Sequence, residues 1–188
     1  SGTTNNPKQV SHTLASLSKT AKKSIEQGYN YTWGLTFDIY RFSGIQVFLQ
    51  ALFGGSSIII PESNDSMNDI IDLFVKNSCN ILSATPSFWR KILMTKESKA
   101  LNIKRATLGG EIADQSILKA LKNTFNDIKI THIYASTEVG VGFAVTDGLA
   151  GFPYAYVEHG LDNIQIKIDE ASLLWINPTS KEQEYIAN

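Results

Sequence analysis

Amphipathic helices and short apolar strands alternate between residues 45 and 134 and predict an α/β fold: a parallel sheet with helices on both faces, plus a smaller C-terminal β portion. Glycine pairs at Gly54-Gly55 and Gly109-Gly110 punctuate the alternation where a helix or strand should end. A chain of 188 residues, 43% apolar and 19% charged, has enough apolar material for one ordinary core.

The first dozen residues are small and polar and read as a loop. Leu14, Leu17, Ala21 and Ile25 recur at helical spacing and predict a helix over 14–27, with Gly28 as its stop. Residues 45–53 (IQVFLQALF) predict an apolar helix, and 57–60 a buried strand. The segment 65–76 is an amphipathic helix with Met67, Ile70, Ile71, Phe74 and Val75 on its inner face. A short strand over 80–83 follows, and Pro86 opens a helix that runs to about residue 96. Residues 105–108 read as a strand, 114–125 as a helix and 129–134 as a strand. Beyond Gly140 the pieces become β-like, at 142–146, 164–168 (IQIKI) and 173–176, and suggest a smaller antiparallel sheet or barrel edge. That change divides the chain into an α/β part, 1–140, and a β-rich part, 141–188.

Charge and cysteine count narrow the function. Seventeen basic and eighteen acidic residues leave a net charge of −1, so no basic excess exists to hold a nucleic acid. A single cysteine, Cys79, excludes an internal disulfide framework and a multi-cysteine metal site. The longest apolar run, 58–61, is too short to span a bilayer, and the N-terminus has no apolar signal-peptide core. The expectation is a soluble cytoplasmic protein. Cys79 reads as core, His159 as surface, and Lys19, Lys22 and Lys23 as a solvated helix face.

In parallel α/β sheets, ligands sit in the loops beyond the carboxyl ends of the strands. Three loops carry suitable residues. SGTTNNPK, residues 1–8, gathers three hydroxyls, flexible backbone and a lysine, as a polyphosphate cradle requires. It lacks the Walker spacing, which argues against a P-loop phosphotransferase, and a flexible Ser/Thr-rich terminus explains the same composition. Gly109-Gly110-Glu111 follows a strand: the glycines admit a flat ligand close to the backbone and the glutamate can cap the following helix. A plain strand-to-helix turn fits equally. Tyr134-Ala135-Ser136-Thr137-Glu138 offers an aromatic face, two hydroxyls and a carboxylate suited to a hard cation, although an N-capped helix start would look similar.

In order and spacing the three loops resemble the adenylate-forming superfamily: acyl- and aryl-CoA ligases, luciferases and the adenylation domains of peptide synthetases. SGTTNNPK is similar to that family's phosphate loop, usually SGTTGxPK, with His12 matching the histidine that often follows. LGGE at 108–111 is similar to its adenine-side turn, and YASTE at 134–138 to its YGxTE motif. Phe37-Asp38, the stretch RFSGIQVFLQALFGGSSIIIP and Leu174-Trp175-Ile176 also match segments of the family. The resemblance implies an acyl-CoA-synthetase-like fold, in which 1–140 is the nucleotide-binding subdomain. It also implies that the chain is an interior fragment of a larger N-terminal domain. By this reading the chain begins inside the phosphate loop and ends before the aspartate that holds the ribose. It also lacks the catalytic lysine of the C-terminal domain and is not expected to complete the reaction alone.

The implied reaction activates a small carboxylic acid with ATP and Mg²⁺ to an acyl- or aryl-adenylate. Transfer to coenzyme A or a phosphopantetheine carrier protein follows. By resemblance Ser1, Gly2, Thr3, Thr4 and Lys8 bind the β- and γ-phosphates, Thr137 touches the α-phosphate and Glu138 ligates Mg²⁺; Lys8, Thr137 and Glu138 form the catalytic set. Tyr134 stacks on adenine, with Ala135 and Ser136 beside it and Gly109, Gly110 and Glu111 on the other side. His12, Trp33, Phe42 and Ser43 are the candidates for the acid pocket, where core packing is the competing role for each aromatic. Asn5 and Gln9 stand in place of glycines, Ala135 in place of the glycine of YGxTE, and His132 where asparagine is frequent. A degenerate nucleotide- or partner-binding module, favoured by Asn5 and Ala135, is the alternative to an enzyme.

Overall fold

The computed structural model describes residues 10–21, 25–137, 140–161 and 164–178. Ser1, Gly2, Thr3, Thr4, Asn5, Lys8, Gln9, Lys22, Lys23 and Glu138 lie outside them.

Among the described residues, six strands form one sheet in the order β2-β1-β3-β4-β5-β6. These are β1 (Thr32–Leu35), β2 (Ser57–Ile59), β3 (Ile81–Ala84), β4 (Arg105–Leu108), β5 (Lys129–Ser136) and β6 (Gly140–Val145). The first five are parallel and β6 is antiparallel to β5. Helix α3 (Phe42–Phe53) packs on β1 and β2. Helices α4 (Met67–Lys76), α5 (Pro86–Met94) and α6 (Gln115–Thr124) share the opposite face, where Ile71, Phe74, Trp89, Ile92, Ile117 and Leu121 fill one buried cluster with Leu82, Ala106 and Leu108. The helices thus cover both faces, as the alternation predicts. A right-handed crossover on each side of β1 requires that split, because β2 and β3 flank it. The reversal of strand order falls between β1 and β3, the position where such sheets open a crevice.

Local chemistry sets the helix starts. Ser66 and Asp69 close a capping box on α4, Thr85 accepts from Phe88 N–H at the start of α5, and Asp114 accepts from Ile117 N–H at the start of α6. Cys79 is buried, and burial pushes its thiol up to about 12, so it packs as a small apolar group; His159 is exposed as expected.

Four expectations are corrected. Among the described residues, the span 14–27 holds two single turns in place of one helix, α1 (Leu14–Leu17) and α2 (Ile25–Gly28). Instead of continuing the helix, Gln46 of α3 hydrogen-bonds the Leu17 carbonyl at 2.7 Å, which ties the chain to α3. Strand β1 has no counterpart in the sequence reading, because Gly34 interrupts its short apolar run. There a Cβ would come within 2.6 Å of Leu82 Cδ1 and 2.8 Å of Phe74 Cζ, so tight packing on α4 dictates the glycine. Val75 faces outward at 36% exposure, while Ile71 and Phe74 carry the buried stripe of α4. Finally, β6 hydrogen-bonds into the main sheet; the small antiparallel sheet holds β7 (Ile164–Ile168) and β8 (Leu174–Pro178), with the short helix α7 (Ala155–His159) beside it.

Candidate functional site

The carboxyl ends of β1, β3, β4 and β5 bring four loops to one edge of the sheet. Thr36, just past β1, donates its hydroxyl to the Ser83 carbonyl of β3 at 2.7 Å, a bond across the point where strand order reverses. Beyond β4, Gly110 has φ +81°, which L side chains resist, while the atom nearest to an added Cβ would be Thr85 Cγ2 at 3.7 Å; conformation, not space, selects glycine. Gly109 is the reverse case, since a Cβ would stand 2.8 Å from Ile133 Cγ1.

Glu111 caps the preceding helix, not the following one. Its Oε2 accepts from the Ser87 backbone N–H of α5 at 2.9 Å, whereas α6 is capped by Asp114. Hydrogen bonds from Ser87, then from Thr85, with the charge of Arg90 nearby, hold its carboxyl below the usual range. The Gly-Gly-Glu turn is thereby strapped to the β3–α5 loop.

Strand β5 supplies the opposite wall. Tyr134 stacks on Phe143 of β6 with ring centres 4.4 Å apart and planes 16° from parallel, and it meets Phe152 edge-on at 5.4 Å. One ring face is therefore occupied by protein. Burial pushes its phenol above the ordinary value. Next to it His132, buried, places Nε2 2.8 Å from the Gly151 carbonyl oxygen. Gln115 holds the same loop, donating to Gly148 O and accepting from Ala150 N–H, each at 2.9 Å. Between these walls lies a cleft of about 310 Å³, lined mainly by the Gly110–Ala113 turn, the 132–136 segment, Gly142 and Ile176. A slot with a glycine backbone turn on one side and an aromatic on the other suits a flat heterocycle, and Ser136 reaches the same cleft.

Phe42, at the start of α3, lies 3.9 Å from where a Cβ of Gly140 would stand, so the head of α3 meets the start of β6. His12 packs on Phe42 with ring centres 5.2 Å apart. By strand alternation Trp33 lies on the α3 side of β1, since Gly34 faces α4. His12 Nε2 and Trp33 Nε1 are buried without a hydrogen-bond partner among the described residues. Ser43 lies in the first turn of α3, and Asp38 engages the Tyr40 N–H and Arg41 at the surface.

The structure thus brings Gly110, Glu111, Tyr134, Ala135 and Ser136 together around one cleft, with Gly109 packed close to Ile133 and Thr137 just past β5. It brings His12 to Phe42, with Ser43 next to Phe42 in the first turn of α3. Among the described residues no cluster of three or more His, Cys, Asp or Glu side chains could hold a metal. His132 and Ile176 also line the cleft, although the sequence marks them only as family-like positions and not as site residues; Phe143, behind Tyr134, is marked by no motif, and its signal is its place opposite Tyr134 in the β5–β6 register. No helix of the described residues is long and apolar enough to cross a membrane.

A family described as AMP-binding enzyme matches residues 1–173. No curated protein sequence matches the chain. Among solved structures, the N-terminal domain of FACL13 from Mycobacterium tuberculosis superposes with a TM-score of 0.68 at 17% identity, over 95% of this chain and 48% of that one. The O-succinylbenzoate coenzyme A synthetase MenE from Bacillus subtilis, in complex with ATP and magnesium ion, gives 0.56 at 15% identity, over 79% and 33%. The adenylation-carrier fusion NpsA-ThdA from Klebsiella oxytoca gives 0.60 at 12% identity, over 80% and 31%. The chain spans 31% to 48% of the length of these structures, and at such identities the likeness is one of fold.

Proposed function

Because the chain belongs to the AMP-binding enzyme family, we propose that it is the nucleotide-holding part of a ligase that activates a carboxylic acid with ATP. The observation that carries this is the convergence of the Gly-Gly-Glu turn and the Tyr134–Ser136 segment on one cleft at the carboxyl edge of the sheet. In this reading the adenine ring enters the slot beside Tyr134, whose far face is already braced by Phe143. Thr137 meets the α-phosphate, and the 1–8 segment, with Lys8, holds the β- and γ-phosphates. The acid approaches from the side of Phe42 and His12, with Trp33 and Ser43 as further pocket residues.

A carboxylate oxygen then attacks the α-phosphorus. The new acyl–phosphate bond forms as the bond to the β-phosphate breaks, and pyrophosphate leaves with its electron pair. Hydroxyl and ammonium donors stabilise the crowded phosphate oxygens where charge develops. Mg²⁺, held through Glu138, would supply further charge stabilisation. In the second half-reaction a thiolate, from coenzyme A or a carrier protein's phosphopantetheine, takes the acyl group and releases AMP. A cytoplasmic setting fits this chemistry.

The test is calorimetric titration of Mg·ATP into the chain, with Lys8→Ala and Glu138→Ala as comparisons. Saturable binding that weakens about tenfold or more in each variant is expected from loss of a charge-assisted contact. Binding untouched by either change would overturn the assignment. A second reading, a non-catalytic nucleotide-binding module, draws on Ala135, whose side chain stays exposed at the cleft. Acid-dependent pyrophosphate exchange in the longer protein separates the two readings.

A further inference from the structure

Because β1 to β5 are parallel, each connecting helix from α3 to α6 returns the chain to the edge of the sheet opposite the cleft. Basic side chains gather on that edge. Lys104, Arg105 and Lys129 stand at the starts of β4 and β5. Lys76 ends α4, Lys99 lies in the single turn Glu97–Ala100 after α5, and Lys122 is in the last turn of α6. All six are exposed, and none takes part in an ion pair among the described residues. Helix dipoles account for Lys76 and Lys122, at helix carboxyl ends, but not for the three at strand starts. Arg105 and Lys129 are neighbours in the β4–β5 register, a like-charge pair that costs stability when no anion stands between them. The acids of this edge, Glu26, Asp72, Glu97 and Asp127, are fewer than its cations, although the whole chain carries −1.

The edge is also braced, and partly apolar. The Asn80 side chain accepts from the Thr32 N–H and donates to the Asn30 carbonyl, each at 2.9 Å, while its own carbonyl accepts from the Lys104 N–H at 2.8 Å. One residue thus ties the approach to β1 to the approach to β4. The Arg105 guanidinium lies 4.4 Å from the centre of the Tyr31 ring and donates to its hydroxyl at 2.7 Å. At the same end Tyr29, two residues before Tyr31, and Met94, the last residue of α5, are each 86% exposed.

We propose that this edge docks on an anionic lipid surface, with the cations against the headgroups and Tyr29 and Met94 in the interface. The cations extend from the foot of α4 to the foot of α6, too broad a spread for one small anion. Single apolar side chains beside a wide cationic face suit a fluid headgroup layer, which demands no matching shape. So docked, the chain lies on the bilayer without crossing it, and the cleft at the far end of the strands stays open to water. The inference does not depend on what the cleft binds.

The experiment is co-sedimentation of the 188-residue chain with vesicles of phosphatidylcholine alone and of phosphatidylcholine with phosphatidylserine. Binding is expected to the phosphatidylserine vesicles only, and to weaken as salt rises and screens the headgroups. Lys104→Gln with Lys129→Gln removes two cations whose side chains have no hydrogen bond or ion pair among the described residues, and should weaken binding about tenfold or more. Tyr29→Ser with Met94→Ser should weaken it at unchanged charge, whereas Lys167→Gln, on β7, should leave it as it was. Circular dichroism checks that each variant folds; where one does not, the native chain's lipid and salt dependence decides. Equal binding to both vesicle types, binding to neither, or binding to phosphatidylserine vesicles that survives both double substitutions overturns the proposal. Poly-glutamate that binds the chain while phosphatidylserine vesicles do not overturns it in favour of an acidic protein partner.

Discussion

Glu111 both lines the cleft and straps its turn to the helix before it. Bonds to Ser87 and Thr85 depress its pKa, so its folded value lies below its unfolded one. Such a group contributes stability that is present above the unfolded pKa and is lost as pH falls through the folded value. Glu111→Gln should therefore flatten the acid limb of stability, which denaturant midpoints at pH 7 and in the acid range would show; an unchanged pH slope would contradict the strap. Its exposure to solvent and its place at the N-terminus of α5 keep the expected effect at pH 7 below about 1 kcal/mol. Gly110 poses a different constraint. Gly110→Ala meets no clash but must hold φ +81°, at a cost of about 1–2 kcal/mol by urea denaturation. The sequence makes Gly109, Gly110 and Glu111 visible as a turn after a strand. It cannot reveal that Glu111 bonds backward, because that partner lies on a helix that precedes it in the chain and meets it only in the packed fold.

At the scale of elements, β1 and α4 depend on each other through Gly34. An alanine there would press on Leu82 and Phe74, two side chains of the main buried cluster with little room to yield. Gly34→Ala should destabilise by about 1–3 kcal/mol, and adding Phe74→Leu should recover part of the loss, a coupling that a double-mutant cycle would measure. This contact explains why β1 escapes sequence reading: a glycine is a poor strand signal unless its neighbour's ring is known. The other parallel strands are legible from their apolar runs, and the starts of α5 and α6 from Pro86 and Asp114, whereas the Ser66 cap of α4 is not read from the sequence. Legible too are the two described loops that line the cleft, since each follows a strand of the parallel set. The aromatic brace behind Tyr134 is not, since it depends on the β5–β6 register and on a bulge between Tyr134 and Ala135.

Across the molecule, apolar burial is uneven. The cluster beneath α4, α5 and α6 is large, whereas the one beneath β7 and β8 has Phe143, Val145 and Ile166 as its buried members. Amides of β7 and β8 should exchange well before those of β3 and β4, as regions with little buried apolar contact open locally. Equal protection in both sheets would show that the smaller cluster opens together with the main one. Strand order has a further consequence, for the growing polypeptide. β1 can zip to β2 as soon as α3 has formed, but its other edge waits for β3, which arrives only after β2 and α4 have been made. At synthesis rates of about 5–20 residues per second, that edge stays bare for seconds, a template for any passing strand. A nascent chain stalled between Ile59 and Ile81 would be a client for chaperones, and the aggregate it seeds would be built on β1.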